Sequence, residues 1–391
     1  MASDAVLDRT RWTDPEFLDH LRSQGDTLAD EAVTRLVEQG ELASVNKIFK
    51  HMTGNGDPLP DDVAEPFRRF LAETAELPAW VDLERVERGE RIYMRHALTI
   101  SVVLLAKSLP EGYSAPNLTR ILHMSGDLEH HPFQRLMGVL QMIVNICSGG
   151  FDERERALVT AQKLRLLHAG VRHVADRMLP DYRQQFGAPV NHEDMIATVM
   201  GFSYLVIEGL HRIEVDLTPE EAEDLYYLWR VFAQLMGIHP VGRPDDPSFF
   251  PEDLAAAKAF YDLYGERHFT GPEENPEGVT LTRNNLRMMQ ALIPRWMRWL
   301  GLGIVPSIYM EDLLTQEARA RVGVEPVAGH RLLKRFLLWL PRMLQKIEDD
   351  LPGHVADHFG QILFQSMIVR SRGGQVTFLI PDSLEDLHKL A

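Results

Sequence analysis

The sequence predicts an all-α protein, on three observations. Apolar residues recur at helical spacing through most of the chain, cap and stop signals punctuate it at helix-like intervals, and alternating β patterns are scarce. Only GQVTFLI, near the carboxyl end, reads as a short strand, and no repeat with a period of 20 to 50 residues marks a solenoid.

Taken in order, Thr13 to Glu16 has the T-x-x-E form of a capping box and opens a segment that ends near Gly25. The run ALTISVVLLA, Ala97 to Ala106, is about half of the ~20 apolar residues a membrane-spanning helix needs, so it predicts a buried helix. A helix begins near Pro132, and a longer one runs from Asp152 to Leu179, stopped by Pro180. Asn191 precedes a run through Leu210. Thr218 and Glu221 form a second capping box with Pro219 at the first helical position and Gly237 as the stop. HPVGRPDDPSFF from His239 and GPEENPEGVTLTRNN from Gly271 read as loops, neither long nor biased enough to require a domain boundary. The expectation is one domain, residues 1–391, ending in a short irregular tail.

Composition narrows the function. Lysine plus arginine total 41 against 57 aspartate plus glutamate, a net charge of −16, which argues against a nucleic-acid partner. A single cysteine, Cys147, excludes an internal disulfide, a CxxC redox pair, a cysteine zinc site and CxxCH haem attachment. The amino terminus carries charge from Asp4 and lacks an apolar signal core, so the expected location is the cytoplasm, with no transmembrane segment. MMQALIPRWMRWLGLGIVPSIYMEDLL, from Met288, reads by default as packed core helix, with a substrate entrance or weak membrane-surface contact as the alternatives. The oligomeric state is not legible.

Two helices carry candidate chemistry. On the Asp152–Leu179 segment, Ala161, Leu164, His168, Val171 and Ala175 fall on one stripe, with Arg165 and Arg172 to either side. A flat apolar macrocycle suits such a stripe: an imidazole supplies a metal bond, and a flanking arginine pairs with a carboxylate. A hydrogen-bonded core histidine fits the same pattern. On the helix from Pro132, Arg135, Gly138, Val139 and Met142 share a face, where a guanidinium suits developing negative charge and equally suits a surface pair with Asp127 or Glu129. Glu208 and His211 form E-x-x-H without the second pair that a di-iron bundle needs. His354 and His358 read as a solvated face, and Cys147 as a buried thiol.

From Arg11 to about Gln234 the chain resembles the oxygenase family that includes the bacterial latex-clearing proteins, b-type haem rubber oxygenases, and the fungal oxygenase that cleaves the farnesyl chain in mycophenolate biosynthesis. The matching pieces, in order, are RWTDPEFLDHL, SLPEGYSAPNLTRIL, the Arg135 helix, LRLLHAGVRH, PVNHEDMIATVMGFS and LTPEEAEDLYYLWRVF. The resemblance implies a globin-like core binding haem b, with His168 as the iron's protein ligand and Arg135 over the reactive face. The core would span about 12–300, with 301–391 matching less clearly. It implies dioxygen and a lipophilic, unsaturated or isoprenoid small molecule as reactants, and oxidative C=C cleavage as the reaction. A haem-dependent hydroxylase, peroxidase or coupling enzyme, or a non-catalytic haem carrier or gas sensor, are the alternatives. Rubber-cleaving members carry R-x-x-K-T on the distal helix, whereas this chain has Arg135-Leu136-Met137-Gly138-Val139. That departure, with the missing export signal, points to a small molecule rather than the polymer.

Overall fold

A computed structural model describes residues 9–52, 54–55, 57–125, 132–329 and 333–337, and every regular element among them is helical. The principal helices are α1 (Pro15–Ser23), α2 (Thr27–Gln39), α3 (Leu42–His51), α4 (Glu65–Glu73), α5 (Leu83–Arg95), α6 (Ala97–Val103), α7 (Leu109–Gly112), α8 (Pro116–Ser125), α9 (Pro132–Cys147) and α10 (Arg156–Met178). After these come α11 (Tyr182–Phe186), α12 (His192–Phe202), α13 (Tyr204–Arg212), α14 (Pro219–Leu235), α15 (Leu254–His268), α16 (Pro276–Leu292), α17 (Arg295–Trp299), α18 (Val305–Leu313) and α19 (Gln316–Val322). The strand expected at GQVTFLI and the pair His354 and His358 lie outside the described residues.

Local signals account for most helix ends. At α14 both bonds of the capping box form: Glu221 N–H donates to Thr218 Oγ1 at 3.2 Å and Thr218 N–H to the Glu221 carboxylate at 2.9 Å. Asn191 caps α12 by accepting from Asp194 N–H at 2.8 Å. Three expectations are corrected. The cap of α1 is Asp14, not Thr13; Asp14 accepts from Glu16 N–H, Pro15 takes the first turn, and the Thr13 hydroxyl donates to the Thr10 carbonyl. The loop from Gly271 ends at Asn275, which caps α16 with Pro276 in its first turn. The run from Asn191 to Leu210 breaks at Ser203, whose φ of −115° and ψ of −89° separate α12 from α13.

The main apolar cluster draws on residues from Trp12 to Leu337, and a second joins α2, α3 and α4 to Val159, Leu166 and Ala169 of α10. The run at Ala97 is buried at Ala97, Ile100, Val103, Leu104 and Ala106 but exposes Leu98, and it passes from α6 through a π-helical stretch, Leu104–Ser108, into α7. No single helix among the described residues is long and apolar enough to cross a membrane. Helices α5 and α14 pack closely. A Cβ at Gly89 would lie 2.5 Å from the Asp224 carbonyl oxygen, so only glycine permits this approach. Arg85 and Arg88 then share the Asp224 carboxylate at 2.8 and 2.5 Å.

The chain leaving α9 is anchored to α5 by Glu90, whose carboxylate accepts from Gly149 and Gly150 N–H at 3.1 and 2.9 Å. Burial raises its pKa to about 7 despite these donors. A carboxyl whose pKa is raised on folding contributes stability that is full below about pH 4.5 and lost as pH rises through about 7. Glu90→Gln removes that titration. Urea unfolding at pH 5 and pH 8 should therefore show the variant gaining on the wild type by roughly 2–3 kcal/mol across the interval; a constant difference would mean Glu90 is ionised throughout.

Candidate functional site

The site is built on α10, a 23-residue helix packed against α2 on one side and α9 on another. Two ion pairs tie it to α2. Arg165 grips Asp26 through two nitrogens, Nε at 2.6 Å and Nη2 at 2.9 Å, and its Nη1 reaches the Leu235 carbonyl at 3.5 Å. Asp26 is also the N-cap of α2, accepting from Ala29 N–H at 3.2 Å. Burial alone would raise the Asp26 pKa, but the Arg165 guanidinium outweighs it and holds the carboxyl at about 2. Two turns further on, Arg172 donates from Nε to Asp30 at 2.6 Å and from Nη1 to the Val190 carbonyl at 3.2 Å. Its Nη2 is buried without a partner.

His168 lies between these arginines in sequence, half-buried, and lines a small cleft with Asp26, Arg165, Arg172, Val190, His192, Met195 and Met236. One turn before it, Leu164 belongs to the main apolar cluster. Nearly one turn after it, Val171 packs with Val174 into a small cluster that Ile121, Met124, Leu167 and Val190 border. The imidazole thus sits at a seam between two apolar patches, and Ala161 and Ala175 of the same stripe are buried. His192 is buried, and desolvation lowers its pKa to about 4, so its ring is neutral at pH 7. Val190 has φ of 49°, a left-handed conformation that a β-branched residue adopts at a cost of about 1–3 kcal/mol.

The structure therefore brings His168, Arg165 and Arg172 together. Gly138, Val139 and Met142 are half-buried on α9 and do not line this cleft. Arg135 is a residue of α9 whose side chain lies outside the described residues, as do Asp127 and Glu129. Asp26, His192, Met195 and Met236 were not foreseen; Asp26 is 139 residues from its partner, and no local pattern announces such a pairing.

Behind the cleft, the HEDM segment forms a buried polar network. Asp194 accepts from Asn117 at 2.5 Å, Asn191 at 2.9 Å and Tyr264 at 3.1 Å, while Arg22 spans Glu193 at 2.8 Å and Asp194 at 3.3 Å. Glu193 also receives Arg267 at 3.2 Å and His268 at 3.0 Å. This network joins α1, α8, α12 and α15. Glu208 pairs with Lys107 and Arg212, both at 3.0 Å, and Cys147 is a buried thiol.

Residues 91–343 match the profile of a family described as ER-bound oxygenase mpaB/B'/Rubber oxygenase, catalytic domain. A rubber oxygenase from Streptomyces sp. (strain K30) is 24% identical over 234 residues, covering 58% of this chain and 54% of that protein, so the chain spans about half the length of this curated relative. The structure of latex clearing protein LCP in the closed state superposes with a TM-score of 0.73 over 93% of this chain and 95% of that one, at 18% identity; at that identity the match speaks to the fold.

Because Asp26 both caps α2 and neutralises a buried guanidinium, its replacement should be costly. Asp26→Asn leaves Arg165 as an uncompensated buried charge, and urea unfolding at pH 7 should show a loss of about 3–5 kcal/mol. With the native carboxyl lowered, that advantage is present above pH 4 and disappears as pH falls through about 2, so the gap should narrow steadily below pH 4.

Proposed function

The chain belongs to the mpaB/B' and rubber oxygenase catalytic-domain family, and on that premise we propose that it is a haem b-dependent oxygenase acting on an unsaturated lipophilic or isoprenoid small molecule. The observation that carries this reading is the half-buried His168 imidazole set beside Arg172, whose Nη2 has no hydrogen-bond partner among the described residues, in a polar cleft flanked by the apolar patches of Leu164 and Val171. Among the described residues no cluster of three or more His, Cys, Asp or Glu side chains could hold a bare metal ion. A single imidazole suffices only for an iron whose other ligands come from a macrocycle.

The residues fit that group in kind. His168 would hold the iron. The open Nη2 of Arg172 would pair with a propionate, the more available of the two guanidinia because Arg165 is committed to Asp26. Leu164 and Val171 would supply apolar surface on the His168 side, and although Gly138, Val139 and Met142 do not line the His168 cleft, they would supply it from α9. When bound, the haem supplies activation of dioxygen, whose two atoms replace a C=C bond with two carbonyl groups. Arg135 would stabilise negative charge developing on dioxygen. The apolar residues exclude water and orient the alkene, and neutral His192 adds no competing charge beside His168.

Where rubber-cleaving relatives place a lysine and a threonine, this chain has half-buried Gly138 and Val139. A smaller, less polar surface there favours a compact lipophilic substrate over the polymer. We also take residues 1–391 as one domain, because the main apolar cluster draws on helices from both ends of the described chain.

The first test is an absorption spectrum with a pyridine haemochrome assay and iron quantification. The reading expects stoichiometric haem b with histidine-type bands, lost almost entirely in His168→Ala; full occupancy and unchanged bands in that variant would make another residue the ligand. A protein that stays colourless after haem reconstitution would sink the proposal. Arg135→Ala should keep its haem while oxygen consumption on prenylated substrates falls roughly a hundred- to a thousandfold.

A further inference from the structure

The stretch from Gly278 to Met310 contains no acidic residue and four arginines, Arg283, Arg287, Arg295 and Arg298, in a chain whose net charge is −16. All four are exposed, and none pairs with a carboxylate among the described residues. Within the same stretch α17 contributes no buried residue. Trp296 is 65% exposed and Trp299 86%, flanked by Leu292 at 41% and Leu300 at 58%. The expected packed core is found at the two ends of the stretch from Met288, where Met288, Met289, Ile308, Met310, Leu313 and Leu314 are buried, and fails at α17 between them. Pro294, extended with ψ of 142°, and Gly301, with φ of 83°, bracket this five-residue helix.

Exposed tryptophans beside arginines are poorly suited to water and well suited to one environment. An indole prefers the boundary between hydrocarbon and headgroup, where its ring is in an apolar medium and its N–H stays hydrated. Arginines at that depth meet lipid phosphates, and each basic residue close to an anionic surface strengthens partitioning by about fivefold. Repulsion from the remaining acidic surface is screened over about 8–10 Å at physiological ionic strength, so the local sector governs contact. We propose that α17 and the adjoining arginines of α16 form a docking surface for an anionic lipid bilayer, with Trp296, Trp299 and Leu300 inserted into the interface. The inference stands without the haem assignment. If that assignment holds, docking sets α16, which packs against α9, between the bilayer and the candidate site, a short route for a lipophilic substrate.

The test is flotation of the full chain with vesicles of phosphatidylcholine alone and of phosphatidylcholine with one quarter phosphatidylglycerol. The wild type should bind the anionic vesicles several times more strongly, release with added salt, and shift its tryptophan emission to the blue. Trp296→Ser combined with Trp299→Ser should lower binding at least tenfold, and Arg295→Gln with Arg298→Gln should weaken the preference for phosphatidylglycerol, leaving only what Arg283 and Arg287 contribute. Because α17 buries nothing, all variants should unfold at the wild-type temperature and keep wild-type cofactor content, so a docking failure is distinguishable from a failed haem assignment. The proposal is overturned if the wild type ignores anionic vesicles or if the tryptophan variant binds them equally well. It is equally overturned if light scattering shows a wild-type dimer that the tryptophan substitutions dissociate without any vesicle binding, which would make the patch a contact between copies.

Discussion

The candidate site depends on how α10 is held, and the holding is electrostatic. A long helix with Arg165 and Arg172 on its inner side can be buried only where carboxylates meet those charges, because an uncompensated buried guanidinium would cost several kcal/mol. Asp26 and Asp30 meet them from the start of α2, four residues apart, and Arg165 and Arg172, seven apart and so almost two full turns, present to the same side of α10 rather than to either side of the His168 stripe as expected. The two pairs fix both the rotation and the height of α10 against α2. Once that rotation is set, His168 must fall at the seam between the main cluster and the Val171 patch rather than inside either. The position of the imidazole is thus a consequence of ion pairing on the neighbouring face.

The same logic explains the buried acids of α12. Glu193 and Asp194 are side by side where desolvation alone would raise both pKa values. His268 and Arg22 lower Glu193 below its usual range in spite of burial, whereas Asp194, which shares the cationic partners and feels Glu193, remains raised. The two neighbouring acids are therefore shifted in opposite directions. The network that makes this tolerable ties the amino-terminal α1 to α8, α12 and α15.

Much of the helical framework was legible because its signals are local. Thr218 with Glu221 and Asn191 with Asp194 satisfy free N–H groups within three residues, a distance at which sequence is geometry. Thr13 misled because two caps compete in TDPE; a proline belongs at the first helical position, which makes Asp14 the cap, and the same signal at Pro276 marked the start of α16. The stripe through His168 could be drawn from spacing alone, but its partners could not. Asp26 and His192 reach the cleft through tertiary packing, and the interruption at Ser203 has no breaker residue to announce it.

Exposure at α17 follows a different rule. Helical periodicity predicts which residues share a face and says nothing about whether another element arrives to cover it. The apolar character of RWMRWL suggested core because most apolar stripes are covered, yet no residue of the five-residue helix between Pro294 and Gly301 is buried. The arginines decide between the two outcomes, since burying Arg295 and Arg298 would demand carboxylates that this acid-free stretch does not contain and that no described neighbour supplies. A chain rich in acids that withholds every one of them from 33 consecutive residues has segregated its charges along the sequence, and a segment so segregated is what gives an otherwise acidic protein a basic sector able to approach an anionic boundary.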